Sequence, residues 1–180
     1  VEAGAVFVRG TSVFCCKEPA PPETSTLSPH GALPRARAGE AVTGATLTES
    51  CGGKGANQAV AAARFGGRLP DPAPVITFAG AVGKDLFGQW QIEQLQRDGI
   101  DTRFVLELDN VSTGTSTIWL EKASAENRIL NDPGANGRFD PASLEGLPFA
   151  EASLLLIQNE IPAPTTAALG ELAAAHDLPL

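Results

Sequence analysis

Along most of the chain, hydrophobic positions come in short runs separated by polar turns. The runs at 75–79 (VITFA) and 153–157 (SLLLI) show almost no alternation, and this pattern predicts strands that are covered on both faces. Segments at 86–97 and 165–176 are predicted to form helices, the second because it is rich in alanine. Strands that alternate with helices in this way predict an α/β layered domain with a mainly parallel sheet.

The helix predicted at 86–97 has clear boundary signals. Residues 80–85 are expected to turn the chain, with Asp85 as the N-cap of the helix, and the Asp-Gly pair at 98–99 is expected to end it. Its apolar residues do not all share one face, so we expect burial on more than one side: Leu86, Phe87 and Trp90 lie together, whereas Ile92 and Leu95 lie apart.

The N-terminal segment carries one short apolar run followed by many prolines. Residues 5–8 (AVFV) are compatible with a buried strand, which we expect to be the first strand of the parallel sheet. Residues 17–38 contain five prolines among Ser, Thr and Ala, a composition that predicts a loop or an insertion. The alternation at 42–48 predicts an edge strand.

Threonines mark a second, more exposed sheet. Residues 104–106 and 115–120 are predicted strands, and Thr113, Thr115 and Thr117 recur at period two on one side. This spacing predicts a sheet with one half-exposed face.

Composition and charge narrow the class of ligand. The 180 residues are 43% hydrophobic and carry a net charge of −8, which disfavours nucleic acid or an anionic membrane as a partner and favours a small molecule. No apolar run approaches the length of a membrane span. The three cysteines form no CxxC pair, so reduced thiols and a cytoplasmic location are expected; Cys51 is interpreted as a small filler, with a reactive thiol as the alternative.

The most informative stretch is CGGKGANQ at 51–58, followed by an alanine-rich run. Its glycines let a ligand approach the main chain closely, and a helix that begins near Gly53 would direct its first unpaired N–H groups into the same space. Lys54 and Asn57 are three residues apart and therefore project from one face of the first turn. An amine beside an amide suits sugar hydroxyls.

Two common nucleotide motifs are excluded in this stretch. A P-loop would require Ser or Thr where Gly55 follows Lys54, and glycine where Thr48 stands. A dinucleotide-binding fingerprint would require a third glycine where Gln58 stands.

The longer string GGKGANQAVAAARFGG closely resembles the first signature of the PfkB carbohydrate kinase family, in the form typical of ribokinases. The resemblance runs from about Leu33 to Leu180. It implies a ribokinase-like three-layer fold with a small antiparallel β lid over the sugar, of which this chain would hold only the incomplete N-terminal half. It also implies a division of the chain into a divergent segment 1–38, with its proline-rich insertion, and a family domain from 39 to 180.

The resemblance extends to the candidate site residues. It implies that Gly53, Lys54, Asn57 and Glu160 bind the sugar, and Glu160 directly follows the strand at 153–157, where open sheets bind ligands. A solvent-facing glutamate at a strand end is the alternative for Glu160. No catalytic, cofactor-binding or metal-binding residue is assigned in this chain, because the family's catalytic aspartate is expected beyond Leu180.

The function implied by the family is the ATP-dependent phosphorylation of D-ribose to ribose 5-phosphate, usually with Mg²⁺ and in some members with a monovalent cation. The chain starts at Val1 and contains no methionine, and it stops where a helix has ended and an apolar strand is expected to begin, so both ends are expected to be cut and this chain alone is expected to be inactive. Three alternatives stay open: a non-catalytic fragment that binds a sugar or dimerises, a gene-model fragment that does not fold, and a kinase for another sugar or a nucleoside. The resemblance also allows a homodimer through the lid.

Overall fold

The computed structural model describes residues 4–9, 47–68, 73–120 and 126–180. Three short 3₁₀ segments, Gly134–Arg138, Pro141–Leu144 and Phe149–Glu151, lie among the main elements. The strands and α-helices of the described residues, in chain order, are β1 (Gly4–Arg9), α1 (Lys54–Gly66), β2 (Val75–Gly83), α2 (Leu86–Arg97), β3 (Asp101–Leu108), β4 (Thr115–Leu120), β5 (Asn127–Asp132), β6 (Leu154–Ile157) and α3 (Ala163–Ala175).

The main sheet has four strands in the order β3-β2-β1-β6. Strands β2 and β3 are parallel, whereas β1 runs antiparallel to both of its neighbours. The expectation that β1 is the first strand of a parallel sheet was therefore wrong. Its central residues are fully buried, and a strand buried on both faces has the same apolar pattern in either direction, so the sequence pattern carries no information on strand direction.

Helices cover the main sheet on both faces and create two separate cores. Residues from α1 and α2, such as Ala59 and Leu95, pack with Ile76 and Phe78 of β2 on one face. Leu169 and Ala173 of α3 belong to the core on the opposite face. The predicted α/β layered architecture is confirmed, and both faces of the central strands are removed from water, which is the dominant stabilising contribution in such a domain.

Helix α2 has the predicted boundaries, but the expected burial on more than one side was wrong for Leu86 and Phe87. Its buried residues are Gly88, Gln91 and Leu95, while Leu86 is 83% exposed and Phe87 is also exposed. The helix packs with Gly88 against the end of β2, where only glycine fits, because a Cβ on Gly88 would lie 2.2 Å from the carbonyl oxygen of Gly83. The predicted turn at 80–85 is also corrected, since β2 continues in register with β3 as far as Gly83.

Strands β4 and β5 form a separate two-stranded antiparallel sheet, which we call the small sheet. The predicted small antiparallel sheet is thereby confirmed, but the strand predicted at 104–106 belongs to β3 of the main sheet. It exposes four large apolar side chains, with Ile118 directly opposite Ile129: Ile118, Trp119, Ile129 and Leu130. The edge strand expected at 42–48 lies largely outside the described residues, as do the proline-rich segment and the boundary at residue 38.

Among the described residues, no helix combines the length and apolar character required to cross a membrane.

Candidate functional site

Helix α1 begins at Lys54, as the glycine-rich stretch predicts. Its N-cap is Gly53 with φ 92°, a conformation that glycine adopts readily and that strains other residues. Gly53 has no side chain with which to cap the helix, and the first turn contains no acidic residue. The first N–H groups of α1 therefore receive no hydrogen bond from an N-cap side chain and face no acidic residue of the first turn. They point out of the helix end, where the helix dipole favours polar or anionic groups.

An ion pair joins the start of α1 to the loop after β6. The ammonium group of Lys54 donates a hydrogen bond to Oε1 of Glu160, 106 residues further along the chain. The Lys54 side chain is 67% exposed and that of Glu160 is 20% exposed. The structure thus brings together two of the four predicted site residues, directly beside the third, Gly53.

Asn57, the fourth predicted residue, faces a different neighbourhood. It is exposed and lines a pocket of about 220 Å³ between α1 and α2, together with Gly52 and Gln91. Its side chain makes no hydrogen bond to Lys54 or Glu160. Lys54 and Asn57 both lie in the first turn of α1, but Lys54 contacts Glu160 whereas Asn57 lines the pocket.

Two side-chain oxygen atoms in the segment after β6 are buried without a hydrogen-bond partner: Oε2 of Glu160 and Oε1 of Gln158. Gln158 immediately follows β6 and was not predicted as a site residue. Its only sequence signal is its position at the carboxyl end of a buried strand, where open α/β sheets bind ligands.

Helix α2 holds the glycine-rich stretch from the side. The side chain of Gln91 is buried and its Nε2 donates a hydrogen bond to the carbonyl oxygen of Gly52 over 3.2 Å. Gln91 is another residue that sequence reasoning missed, because a single buried glutamine leaves no periodic pattern. The contact fixes the peptide that precedes Gly53.

Asp85 caps the N-terminus of α2 and connects this helix to the small sheet. Its Oδ1 accepts hydrogen bonds from the N–H of Gly88 (2.8 Å) and the hydroxyl of Thr113 (2.6 Å), and its Oδ2 accepts from the N–H of Thr113 (2.8 Å). The hydroxyl oxygen of Thr113 also accepts from the N–H of Gly83 at 2.9 Å. Thr113 lies two residues before β4, so the predicted N-cap residue also anchors the root of the small sheet.

The hydrogen bonds at Asp85 oppose the effect of its burial. Partial burial raises the pKa of the carboxyl, but hydrogen bonds from Thr113 and Gly88 outweigh burial and hold the pKa below its ordinary value. Asp85 is therefore a structural carboxylate that stays ionised.

The second root of the small sheet follows β5 and is also tightly packed. Gly134 has φ +47°, and a Cβ there would lie 2.4 Å from the carbonyl oxygen of Ser112. The N–H of Ala135 donates a hydrogen bond to the same carbonyl over 2.8 Å. The segments that enter and leave the small sheet are thus locked against each other at the end of β2.

The described residues contain no group of three His, Cys, Asp or Glu side chains placed to hold a metal ion. Cys51 is half-buried and lines the pocket between α1 and α2. The other two cysteines lie outside the described residues.

Comparison with known proteins identifies the family. The pfkB family of carbohydrate kinases matches residues 4–179. The chain is 36% identical over 148 residues to a ribokinase of Bacillus subtilis, an alignment that covers 81% of this chain and 47% of the relative.

Solved structures give the same result. The crystal structure of ribokinase from Thermotoga maritima aligns with a TM-score of 0.66 and 29% identity, over 78% of this chain and 44% of that one. Arabidopsis thaliana ribokinase complexed with ribose and ATP aligns with a TM-score of 0.61 and 27% identity, over 71% and 40% of the two chains. The chain spans less than half the length of each of these three proteins. The predicted ribokinase-like fold is confirmed, and the chain belongs to the PfkB family of carbohydrate kinases.

Proposed function

We propose that this chain is the sugar-binding part of a ribokinase-like kinase that phosphorylates D-ribose to ribose 5-phosphate with ATP. The observation that carries the proposal is the contact between Lys54 and Glu160 at the start of α1, with Oε2 of Glu160 buried and lacking a partner. A buried carboxylate oxygen of this kind requires a donor, and a sugar hydroxyl supplies one without adding charge.

Each assigned residue has a distinct part in holding the sugar. Gly53 gives access to the backbone at the helix end, Glu160 accepts hydrogen bonds from hydroxyls, and Lys54 donates to hydroxyl oxygens while it orients Glu160. Asn57 extends the site towards the pocket between α1 and α2. These four residues position a hydroxyl-rich ligand, and none of them is a general base for the reaction.

ATP would supply the phosphoryl group, and Mg²⁺ would neutralise its charge. The A. thaliana ribokinase was solved with ribose and ATP, which favours the same pair of ligands for this family member. We assign no residue of this chain to ATP, to Mg²⁺ or to a monovalent cation. The cytoplasmic location is kept as a prediction implied by the family.

Kinase activity is tested by assaying ribose-dependent ADP formation with two proteins, the 180-residue chain and the protein at its natural length. We expect turnover only at natural length, because none of the four residues assigned to the sugar site is a general base. A reaction without ribose is the control. If the natural-length protein binds ribose but forms no ADP, the non-catalytic sugar-binding alternative is favoured. If it phosphorylates another sugar or a nucleoside much faster than ribose, the assignment of ribose as the substrate is wrong.

We further propose that the small sheet acts as the family's lid and forms a homodimer. Its apolar side chains Ile118 and Trp119 are 59% and 60% exposed, and both faces carry such residues. A two-stranded sheet that is alone in water is only marginally stable, so burial against a second copy would stabilise it.

The dimer is tested with Ile118→Lys, which would place an unpaired charge in the interface. We expect dissociation to become at least about tenfold more favourable, measured by sedimentation equilibrium. Leu86→Lys is the matched control, because Leu86 is also a large apolar residue, is even more exposed than Ile118, and lies outside the small sheet. A wild-type protein that stays monomeric at high concentration, or an equal effect of both substitutions, would contradict this interface.

A further inference from the structure

Of the three buried side-chain oxygens without partners among the described residues, two follow the carboxyl end of strand β6 in the main sheet. Strand β6 ends at Ile157, and Gln158 and Glu160 follow within three residues. A third unpartnered oxygen among the described residues belongs to Thr77, but Thr77 pairs with Phe7 in the middle of the sheet and is fully buried. Only Gln158 and Glu160 therefore combine an unpaired acceptor with a position at the ligand-binding edge of the described sheet.

Leaving an acceptor buried and unpaired is unfavourable, and native proteins rarely do so without a reason. The two acceptors would be satisfied by a ligand that brings two hydrogen-bond donors. A cation could also bind two oxygens, but the Lys54 ammonium already occupies Oε1 of the same carboxylate and would repel it. A neutral ligand with neighbouring hydroxyls fits this arrangement better.

We propose that Gln158 is a sugar-contacting residue: it accepts a hydrogen bond from one hydroxyl of the pentose while Glu160 accepts one from a neighbouring hydroxyl. Gln158 then determines specificity, because a sugar that lacks the contacted hydroxyl would leave the amide oxygen buried and unpaired. This inference rests on the proposed sugar-binding function and adds a residue to it.

The test pairs one side-chain change with single changes in the sugar. Affinities of the natural-length protein for ribose, 2-deoxyribose, 3-deoxyribose and 5-deoxyribose are measured by calorimetry for the wild type and for Gln158→Leu. We expect Gln158→Leu to bind ribose roughly 10- to 100-fold more weakly. For one deoxy sugar the two proteins should bind equally, within about threefold, because the hydroxyl that meets Gln158 is already missing.

Asn159→Ala serves as the matched control, because Asn159 is the exposed neighbour of Gln158. We expect this variant to bind all four sugars as the wild type does. Leucine has nearly the size of glutamine and removes the unpaired oxygen, so the Tm of sugar-free Gln158→Leu should equal or exceed that of the wild type.

Three outcomes would overturn the assignment of Gln158. The affinity for ribose could be unchanged by Gln158→Leu, all four sugars could weaken by the same factor, or the Tm of the sugar-free variant could fall by many degrees, which would indicate a purely structural residue. If the wild type binds no pentose at all, the proposed sugar-binding function fails as well, and this result differs from the other three.

Discussion

Replacement of Glu160 by alanine is expected to weaken ribose binding roughly 10- to 150-fold, the range that corresponds to about 1.5–3 kcal/mol for hydrogen bonds to a charged group. The carboxylate is 20% exposed, one of its oxygens orients Lys54, and the other is buried without a partner. Alanine would remove the acceptor and would also release the Lys54 side chain. The dissociation constant for ribose, measured by calorimetry on the natural-length protein, checks this expectation.

A matched variant separates the role of Glu160 from a general effect of charge. Glu171→Ala removes an exposed glutamate from α3 and should leave ribose affinity unchanged. Lys54→Ala should have a smaller effect than Glu160→Ala, because a side chain that is 67% exposed is screened by water. Equal affinity for ribose in Glu160→Ala and the wild type would favour the alternative of a solvent-facing glutamate at a strand end.

Local signals in the sequence were sufficient for much of the fold. The N-cap at Asp85 and the boundaries of α2 were predicted correctly, because capping depends on side-chain chemistry within one turn. The exposure of Leu86 and Phe87 was not predicted, since two of the three buried residues of α2, Gly88 and Gln91, approach neighbouring backbone and do not follow a hydrophobic pattern. The direction of β1 was missed for a similar reason, because it depends on distant partners.

In the candidate site, too, features set by neighbouring residues could be predicted from the sequence, whereas contacts between distant segments could not. The start of α1 at Lys54 could be predicted from the glycines and alanines around it, and the family resemblance linked it to Glu160. The buried, unpaired amide oxygen of Gln158 could not be predicted, because it depends on how distant segments pack around this side chain. Sequence patterns locate elements and their ends, whereas the partners of single polar atoms emerge only when distant segments meet.

Asp85→Ala is expected to lower the free energy of unfolding by about 2–4 kcal/mol. The substitution removes the N-cap of α2, worth about 1 kcal/mol, and leaves the buried N–H of Thr113 without its acceptor, which costs about 1–3 kcal/mol. Urea unfolding at pH 7 measures the change. Asp109→Ala is the matched control, because its ion pair with Lys84 is exposed and should contribute less than about 1 kcal/mol.

The contribution of Asp85 should depend on pH in one direction. Its folded-state pKa lies below the ordinary value, so the folded protein favours the ionised carboxylate. The stabilisation is therefore fully present above the ordinary pKa of an aspartate, near 4, and is lost as pH falls through the lower folded-state pKa. The difference in stability between the wild type and Asp85→Asn should shrink below about pH 4. A difference that grows on acidification would contradict the proposed hydrogen bonding.

Hydrogen exchange distinguishes a local role of Asp85 in α2 from its role at the root of the small sheet. Asp85 holds Thr113, which is two residues before β4, whereas β5 is followed by the close contact of Gly134 with Ser112. If Asp85 anchors the small sheet, amide exchange in Asp85→Ala should accelerate in β4 and β5 as well as in the first turn of α2, while the centre of β2 stays protected. Faster exchange confined to α2 would show that Asp85 is only a helix cap and that the small sheet has another anchor. Because Gln91 of the same helix holds Gly52, the first result would make α2 the physical connection between the lid and the sugar site.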